Sequence, residues 1–278
     1  MLTITLDWLA FTFKEDTHEA GEWVRLYASD KTNVSVTARN GYRDAYQTKT
    51  GIVVQWNIDR EEMGYHVVIA GSAIRHVLEH YELDQKALVQ TVIDAGGSIT
   101  RLDLAKDLQG VSVSLDSIYQ ALEQRAYSGT ARKFAQIHSA DGGNTVYIGS
   151  RQSEKFVRIY NKAAQVNLPG ELWFRFEIET KGMVARSVAQ AIVQSEAWSA
   201  TFDTIAKHMV DIQDSEHYRK FFPGTLAEIG IPKLEKQTDR EKWIQQQVIP
   251  AVVRHATENP QSAAVALLME MLSFVKKS

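Results

Sequence analysis

Three segments of the chain alternate apolar and charged side chains with a period of two, the period of a β-strand that has one buried face. The segments are residues 101–107, 156–162 and 174–181. Strands of this kind are typical of antiparallel sheets, in which one face packs on the core and the other stays polar. The pattern therefore predicts an antiparallel sheet and limits the fold to architectures that cover one of its faces.

The polar faces of these three segments are rich in charge. Solvent exposure explains any one such face on its own. Three faces that combine carboxylates, guanidinium groups and a tyrosine between two cations indicate instead a site for charged chemistry. They comprise Arg101, Asp103 and Asp107 in the first segment, Arg158, Tyr160 and Lys162 in the second, and Arg175, Glu177, Glu179 and Lys181 in the third.

Shorter patterns assign the rest of the chain. Residues 1–75 are predicted to be mostly strands, and helices are predicted over residues 72–95 and 115–127. Strands and helices do not alternate as in a doubly wound sheet, and no repeat is visible. The predicted fold class is therefore α+β, an antiparallel β-sheet core flanked by helices with a helical C-terminal region. We expect a sheet domain over residues 1–181 and a helical region over residues 182–278 that packs on it or is accessory to it.

The composition excludes several classes of protein. The 278 residues are 44% hydrophobic, which supports a large core and excludes a disordered chain. The absence of cysteine excludes disulfides, thiolate metal sites and a cysteine nucleophile. Apolar runs are shorter than the ~18 residues that span a bilayer, and residues 1–4 lack the basic region of a signal peptide, so we expect a cytoplasmic protein. With 31 basic and 34 acidic residues, any nucleic-acid binding would rest on a local basic face.

Tyr160 stands where a nucleophile would gain from its neighbours. A phenol with a pKa of ~10 is a poor nucleophile at neutral pH. Arg158 and Lys162 lie two residues away on the same predicted face, where cations favour the phenolate and could hold a phosphate. Asp103 and Glu177 supply hard oxygen ligands suited to a divalent ion near that phosphate. The pattern is typical of phosphoryl transfer, and a solvated sheet face remains the alternative.

Two consecutive segments resemble the signature of the Rep_trans-type rolling-circle replication initiators of small plasmids and filamentous bacteriophages. They are residues 147–153 and 156–162, the second of which contains the stretch Arg-Ile-Tyr-Asn-Lys. Relaxases of integrative conjugative elements are relatives of this family. Further segments that match in the family's order are residues 6–13, 101–107, 172–181, Lys242-Trp243 and 248–250.

The resemblance implies a site-specific DNA nickase with strand-transfer activity. By the match of the Arg-Ile-Tyr-Asn-Lys stretch, Tyr160 attacks the scissile phosphodiester at the origin and becomes linked to the 5′ phosphate. The freed 3′ hydroxyl primes synthesis, and the strand is later rejoined without ATP. Arg158, Lys162 and Lys181 would position the phosphate or neutralise its charge.

The resemblance also implies a divalent metal, Mg²⁺ or Mn²⁺, because the family is a divergent relative of the HUH endonucleases. Asp103 and Glu177 are the preferred metal ligands within the matched motifs. Asp107 and Glu179 are weaker candidates because each could instead pair with a neighbouring arginine. The sequence contains no His-hydrophobe-His triplet, so the metal site of the better-known HUH nucleases is not transferred.

DNA contacts are expected on a loop and on exposed aromatic rings. Small residues in the segment 149–153 would let the backbone approach a phosphate, although an ordinary hairpin turn has the same composition. The candidate DNA-binding residues are Ser150, Arg151, Ser153, Arg175 and Lys181. Aromatic residues that could stack on unpaired bases are Trp23, Tyr42, Tyr46 and Trp56, most of which are expected in the core.

The implied partners are origin DNA, single-stranded or locally melted, with a host helicase and a replicative polymerase of the bacterial cell. No Gly-x-x-x-x-Gly-Lys-Ser/Thr motif supplies an ATP-binding loop, and no membrane partner is expected. The apolar tail over residues 262–278 favours a packing or dimerisation helix, so a homodimer is one expectation. A conjugative relaxase with the same chemistry, a catalytically silent origin-binding regulator and a plain structural domain remain alternatives.

Overall fold

The computed structural model divides into two compact units, Met1–Leu234 and Glu235–Ser278. The domain boundary expected at residue 181 falls inside the first unit. Most of the predicted C-terminal features, including Lys242-Trp243 and the apolar tail, lie outside the described residues. No helix in the part of the chain that is described is long and apolar enough to cross a membrane. The described residues are 2–14, 17–29, 32–140, 143–194, 198–223, 249–259 and 261–262.

Strands and helices are mixed along the first unit, which confirms the predicted α+β class. The strands are β1 (Leu2–Phe13), β2 (Val34–Ser35), β3 (Asp44–Gln47), β4 (Val53–Trp56), β5 (Tyr65–Ala70), β6 (Ser98–Gln109), β7 (Phe134–Ile137), β8 (Thr145–Gly149), β9 (Lys155–Asn161) and β10 (Trp173–Lys181). The helices of this unit are α1 (His18–Tyr27), α2 (Ser72–His80), α3 (Gln85–Asp94), α4 (Leu115–Glu123), α5 (Lys162–Gln165), α6 (Gly182–Gln194), α7 (Trp198–Met209) and α8 (Glu216–Arg219). The second unit contributes α9 (Ile249–Glu258).

The ten strands form one sheet in the order β2-β3-β4-β5-β1-β6-β10-β9-β8-β7, with every neighbouring pair antiparallel. Each half of the sheet follows the same path: a long strand, a helix, and four further strands of which the last returns beside the first. The long strands β1 and β6 meet at the centre. The chain therefore contains a structural repeat that no sequence period reveals.

Helices cover the apolar face of the second half of this sheet. Leu102 and Leu104 of β6 and Phe176 and Ile178 of β10 are fully buried, as the alternation predicts. They share one core with α6 and α7. One charged residue of β6 also lies on this face: Lys106 forms an ion pair with Asp203 of α7 and lies against the rings of Phe202 and Phe222. With this face covered, the polar residues of β6, β9 and β10 lie on the opposite face.

Helix predictions differ from the structure at capping residues. The single helix predicted over residues 72–95 is two helices, because Glu82 takes a left-handed conformation with φ of +52°. Asp84 then caps α3 by accepting a hydrogen bond from the amide of Ala87 at 2.7 Å. Residues 1–75, predicted as mostly strands, include the helix α1, whose first turn is capped by Thr17.

Two strands and one strand end also differ from the sequence pattern. The short strands β3 and β7 carry too few alternating residues for the pattern to show. Lys162, predicted on the polar face of a strand, is instead the first residue of α5. Asn161 ends β9 by capping that helix, its side-chain oxygen accepting from the amide of Ala164 at 3.1 Å.

Candidate active site

Charged and phenolic side chains of β6, β10 and β9 meet on one face of the sheet. Because β10 lies between the other two strands, each of its polar residues has a neighbour on either side. The three faces recognised in the sequence therefore form a single surface, about 10 Å from the first strand to the third. The directly opposed pairs are Asp107–Arg175 and Asp103–Glu179 between β6 and β10, and Arg175–Tyr160 and Glu177–Arg158 between β10 and β9.

Tyr160 lies on β9, on one side of this surface, and is buried with 8% of its area exposed. Its hydroxyl donates a hydrogen bond to Oε2 of Glu177 at 3.1 Å, and the guanidinium of Arg158 pairs with Oε1 of the same carboxylate. Burial raises the pKa of Tyr160 above 10, although the cations Arg175 and Arg158 oppose this effect. Arg158 thus favours the phenolate, as the sequence indicated, but the desolvation of the buried phenol outweighs it.

A second group of ion pairs surrounds Asp103, which is 1% exposed. Arg101 donates to both of its oxygens, Nε at 2.9 Å and Nη2 at 2.5 Å, and Nη2 also reaches Glu179 at 2.8 Å. Burial raises the pKa of Asp103 to about 6 against the opposing effect of Arg101. Lys181 pairs with Glu179 at 2.6 Å, and Arg101 packs over the ring of Trp8 at 4.3 Å. These contacts hold two neighbouring carboxylates within one guanidinium fork.

The third group is centred on Arg175, which is 7% exposed and does not reach the surface expected of a DNA-binding residue. Its Nε and Nη2 both donate to Asp107 at 2.7 Å, and Nη1 donates to Asp7 at 2.7 Å. Trp173 donates to Asp107 at 2.9 Å. Both oxygens of Asp107 are therefore occupied, which is the ion-pair alternative to metal ligation that the sequence left open.

Asp7 was not recognised in the sequence as a site residue because a β-bulge changes its position. Leu6 pairs with Leu104 and Trp8 pairs with Asp103, so Asp7 is the extra residue on β1. The side chain of Gln85 accepts a hydrogen bond from the amide of Leu6 beside the bulge. The regular alternation of β1 is interrupted at Asp7, and its carboxylate accepts a hydrogen bond from Arg175.

The loop between β8 and β9 brings the remaining candidates to the edge of the site. Arg151 packs over the rings of Tyr147 and Phe156, at 5.3 and 5.6 Å from their centroids. Its carbonyl accepts a hydrogen bond from Nζ of Lys181 at 2.6 Å. Ser150 and Ser153 close the turn: the Ser150 carbonyl accepts from the Ser153 amide at 2.9 Å and from the Ser153 hydroxyl at 2.6 Å. Arg151 and Lys181 are therefore the exposed cations on this side.

The aromatic residues proposed for base stacking lie in the first half of the fold, between α1 and β4. Trp23 is buried against Phe11 in the core, as most of them were expected to be. Tyr46 donates to the carbonyl of Ala28 at 2.8 Å. Tyr42 stacks on His66, while Trp56 lines a separate cavity of about 530 Å³. None of these four lines the cavity beside Tyr160.

The donors of the site match a divalent metal in chemistry. Asp103, Glu177 and Glu179 present carboxylate oxygens on adjacent strands, and such hard donors suit Mg²⁺ or Mn²⁺. In this structure Arg101 and Arg158 hold these oxygens. Across the described ranges, no three His, Asp or Glu side chains are placed to hold an ion. The carboxylates are thus of the kind that binds a metal, and in this structure they form ion pairs with arginines.

The antiparallel sheet, with a tyrosine set among arginines and carboxylates, agrees with the resemblance to replication initiators found in the sequence. The model of the Rep_trans family, replication initiation factor, matches residues 97–253, more than half of the chain. The chain belongs to this family, as its motifs predicted. The match includes β6 to β10 and therefore every residue of the site except Asp7 and Trp8 of β1.

Two relatives agree with this assignment. The protein named "Putative DNA relaxase NicK" of Bacillus subtilis (strain 168) is 23% identical over 254 residues, which cover 82% of this chain and 72% of that protein. The solved structure of a rolling circle replication initiator protein from Geobacillus stearothermophilus has a TM-score of 0.64 and 21% identity. It covers 79% of this chain and 91% of its own, and at this identity the likeness shows the shared fold.

Proposed function

We propose that the chain initiates rolling-circle replication by nicking one strand of origin DNA, with Tyr160 as the nucleophile. The phenolic oxygen attacks the phosphorus, the bond to the 3′ oxygen breaks, and the 5′ phosphate becomes linked to the tyrosine. The released 3′ hydroxyl primes synthesis. The observation that carries this proposal is the hydrogen bond from Tyr160 to a carboxylate at the centre of a basic and acidic surface.

The hydroxyl of Tyr160 needs a proton acceptor because burial raises its pKa. Glu177 lies at hydrogen-bonding distance and is oriented by Arg158 through its other oxygen, so it takes the proton as the bond to phosphorus forms. The departing 3′ oxygen takes a proton from solvent. When the strand is rejoined, the 3′ hydroxyl gives that proton back to solvent as it attacks the phosphotyrosine, and Glu177 returns its own proton to Tyr160. Nicking and rejoining use the same two residues in opposite directions.

The cations of the site have different tasks according to their exposure. Arg158 is partly exposed and lies beside the nucleophile, so it neutralises the scissile phosphate. Lys162, with Nζ 5.9 Å from the Tyr160 ring, and Lys181 at the edge bind the flanking phosphates. Arg175 is a positioning residue: buried between Asp107 and Asp7, it stabilises the developing phenolate without touching DNA.

We further propose Asp103, Glu179 and Glu177 as the oxygen donors for Mg²⁺ or Mn²⁺. A bound divalent ion would polarise a phosphoryl oxygen and compensate the charge of the transition state. Arg101 would then be available to pair with a phosphate oxygen. Titration of the DNA-free protein with Mn²⁺ in an isothermal titration calorimeter tests this assignment. Asp103→Asn should weaken Mn²⁺ binding, and Asp116→Asn on α4 should leave it unchanged. Equal Mn²⁺ binding by Asp103→Asn and the unchanged protein would contradict it.

The substrate is origin DNA with a single-stranded or locally melted cleavage site, and a host helicase and polymerase act after the nick. A conjugative relaxase is the second candidate, favoured by the name of the Bacillus subtilis relative. The chemistry at Tyr160 is the same in both. Replication of a small circle carrying the origin, compared with transfer of an element to a recipient cell, separates the two.

The decisive experiment is a nicking assay on supercoiled DNA carrying the origin of the element that encodes the chain, with Mg²⁺ or Mn²⁺ supplied. Products are separated under denaturing conditions without protease. The unchanged protein and the control Tyr119→Phe, which removes a hydroxyl on α4, should give a nicked circle with protein attached. Tyr160→Phe should give none. Nicking that survives in Tyr160→Phe would contradict the assignment, and DNA binding without nicking by every form would favour a silent origin-binding regulator.

A further inference from the structure

A cavity of about 200 Å³ opens beside Tyr160 on the side away from β10. It lies over β8 and β9, where Thr145 is directly opposite Tyr160 and Tyr147 is opposite Arg158. Its other walls come from the loop before β8 and from α5. The lining includes Ser139, Thr145, Tyr147, Arg158, Asn161 and Gln165.

Tyr147 forms an aromatic wall that is held in place by its neighbours. Its ring stacks on that of Phe156, with centroids 5.7 Å apart and planes 17° apart. The guanidinium of Arg151 packs over both rings. The ring orientation is therefore set before any ligand arrives, which lowers the entropy cost of stacking on it.

The amides at the rim are oriented as hydrogen-bond donors. The side-chain oxygen of Asn161 accepts from the amide of Ala164 at 3.1 Å, and that of Gln165 accepts from Nζ of Lys162 at 2.7 Å. With these oxygens engaged, the NH₂ group of each amide is the part that can donate to a ligand. None of the described residues that line the cavity is acidic.

This combination of groups suits a nucleobase better than a phosphate. A flat aromatic wall favours stacking, and neutral donors at the rim match the carbonyl oxygens and ring nitrogens on the edge of a base. The volume lies below the ~300–1,000 Å³ of sites for drug-sized ligands, so the cavity has room for one small planar group. The adjacent Arg158 would remain available for the phosphate.

We propose that this cavity binds one unpaired base of the DNA strand, immediately next to the scissile phosphate. Tyr147 stacks on the base, and Asn161 and Gln165 donate to acceptors on its edge. The site would thereby hold the strand in register for attack by Tyr160 and contribute to the choice of cleavage position. This inference rests on the proposed nicking function, since the attacked phosphate is the one that the bound base flanks.

The test is fluorescence anisotropy with a single-stranded oligonucleotide that spans the cleavage position mapped on the nicked circle. An abasic site replaces each nucleotide in turn, and the Tyr160→Phe background prevents cleavage. One position next to the scissile phosphate should show a loss of affinity on the order of 10-fold. In Tyr147→Leu the same abasic site should cost little, because the ring that stacked on the base is already absent.

Conservative and matched variants keep the result interpretable. Tyr147→Phe keeps the ring and should preserve the abasic penalty, whereas Gln165→Ala should reduce it. Gln124→Ala removes an exposed amide at the end of α4 and should have no effect, and circular dichroism checks that each variant folds. At each position, the abasic penalty measured with Tyr147→Leu is compared with that of its Tyr160→Phe parent. If the two proteins showed the same penalty at every position, the proposal would be overturned.

Failure of the nicking function can be told apart from failure of this inference. The covalent adduct reports the chemistry of Tyr160, whereas binding of dT20 reports the cavity without a mapped cleavage position. If no adduct forms, weaker dT20 binding by Tyr147→Leu, with Tyr147→Phe unchanged, would still support a base site. If Tyr147→Leu and Tyr147→Phe bound dT20 equally well, the base site would be overturned whatever the result of the nicking assay.

Discussion

Tyr160 on β9 and Glu177 on β10 are diagonal neighbours across an antiparallel pair, and the hydroxyl of the first donates to the carboxylate of the second at 3.1 Å. The residue directly opposite each of them is a cation: Arg175 lies opposite Tyr160, and Arg158 lies opposite Glu177. The arrangement places a carboxylate and two positive charges around one phenol. It follows from the register of two strands, since a shift of one residue would turn either side chain to the opposite face.

Glu177→Gln should slow nicking by about 10²- to 10⁴-fold, the usual contribution of a general base. The amide keeps the shape of the side chain but does not take the tyrosine proton. Single-turnover rates on the mapped oligonucleotide measure the effect, with Glu171→Gln, an exposed residue before β10, as the control. An unchanged rate in Glu177→Gln would show that the proton goes elsewhere.

Arg175→Met should lower the free energy of unfolding by about 3–5 kcal/mol, because it leaves Asp107 buried without its bidentate partner. Arg175→Lys keeps the charge but loses the planar fork, so it should be destabilising by a smaller amount. Urea denaturation measures both, with the exposed Arg25→Met as a control. If Arg175 contacted DNA and had no structural role, all three variants would unfold like the unchanged protein.

His66 should make stability depend on pH. It is buried, with Nδ1 3.0 Å from the hydroxyl of Thr12 and its ring stacked on Tyr42, and burial lowers its pKa below 6.5. The unfolded chain binds a proton at His66 more readily than the folded protein does. The stability that neutral His66 contributes is therefore complete above pH 6.5 and is lost as the pH falls towards the pKa of His66 in the folded protein. Asp103, whose pKa is raised to about 6, acts in the opposite direction.

The effect of His66 is therefore measured as a difference between variants. Urea denaturation at pH 7.5, 6.5 and 5.5 should show a steeper loss of stability on acidification in the unchanged protein than in His66→Gln. The exposed His18→Gln should behave like the unchanged protein. Parallel stability curves for His66→Gln and the unchanged protein would show that His66 does not titrate in this range.

The site could be predicted from sequence where strands are long and one-sided. β6, β9 and β10 keep period-two alternation along most of their length, so the amino-acid sequence alone indicates their polar faces. Asp7 was missed because a bulge interrupts the alternation of β1 at that point. The strand assignment of Lys162 was wrong because Asn161 caps a helix that begins there. Alternation gives the face of a residue and not its partner across the sheet.

Partners depend on register and connectivity, which neither period nor composition encodes. The sequence therefore leaves open whether Asp107 meets a metal or an arginine, and in the structure the pairing of β10 with β6 places Arg175 directly opposite it. The repeat of the two halves is hidden from the sequence for the same reason. It is a repeat of chain path, and the residues of the site occur in the second half, with Asp7 and Trp8 of β1 as the exceptions.

The ion pair between Lys106 and Asp203 provides a final prediction, on the face of the sheet opposite the site. Both residues are buried, and Oδ2 of Asp203 has no hydrogen-bond partner among the described residues. Lys106→Met should cost about 3–5 kcal/mol because it leaves Asp203 buried in an apolar layer without its partner. The double variant Lys106→Met/Asp203→Leu should recover most of that loss, since two apolar side chains replace two desolvated charges. Urea denaturation of the single and double variants completes the cycle, and a double variant less stable than Lys106→Met alone would show that the pair stabilises the fold beyond its own desolvation.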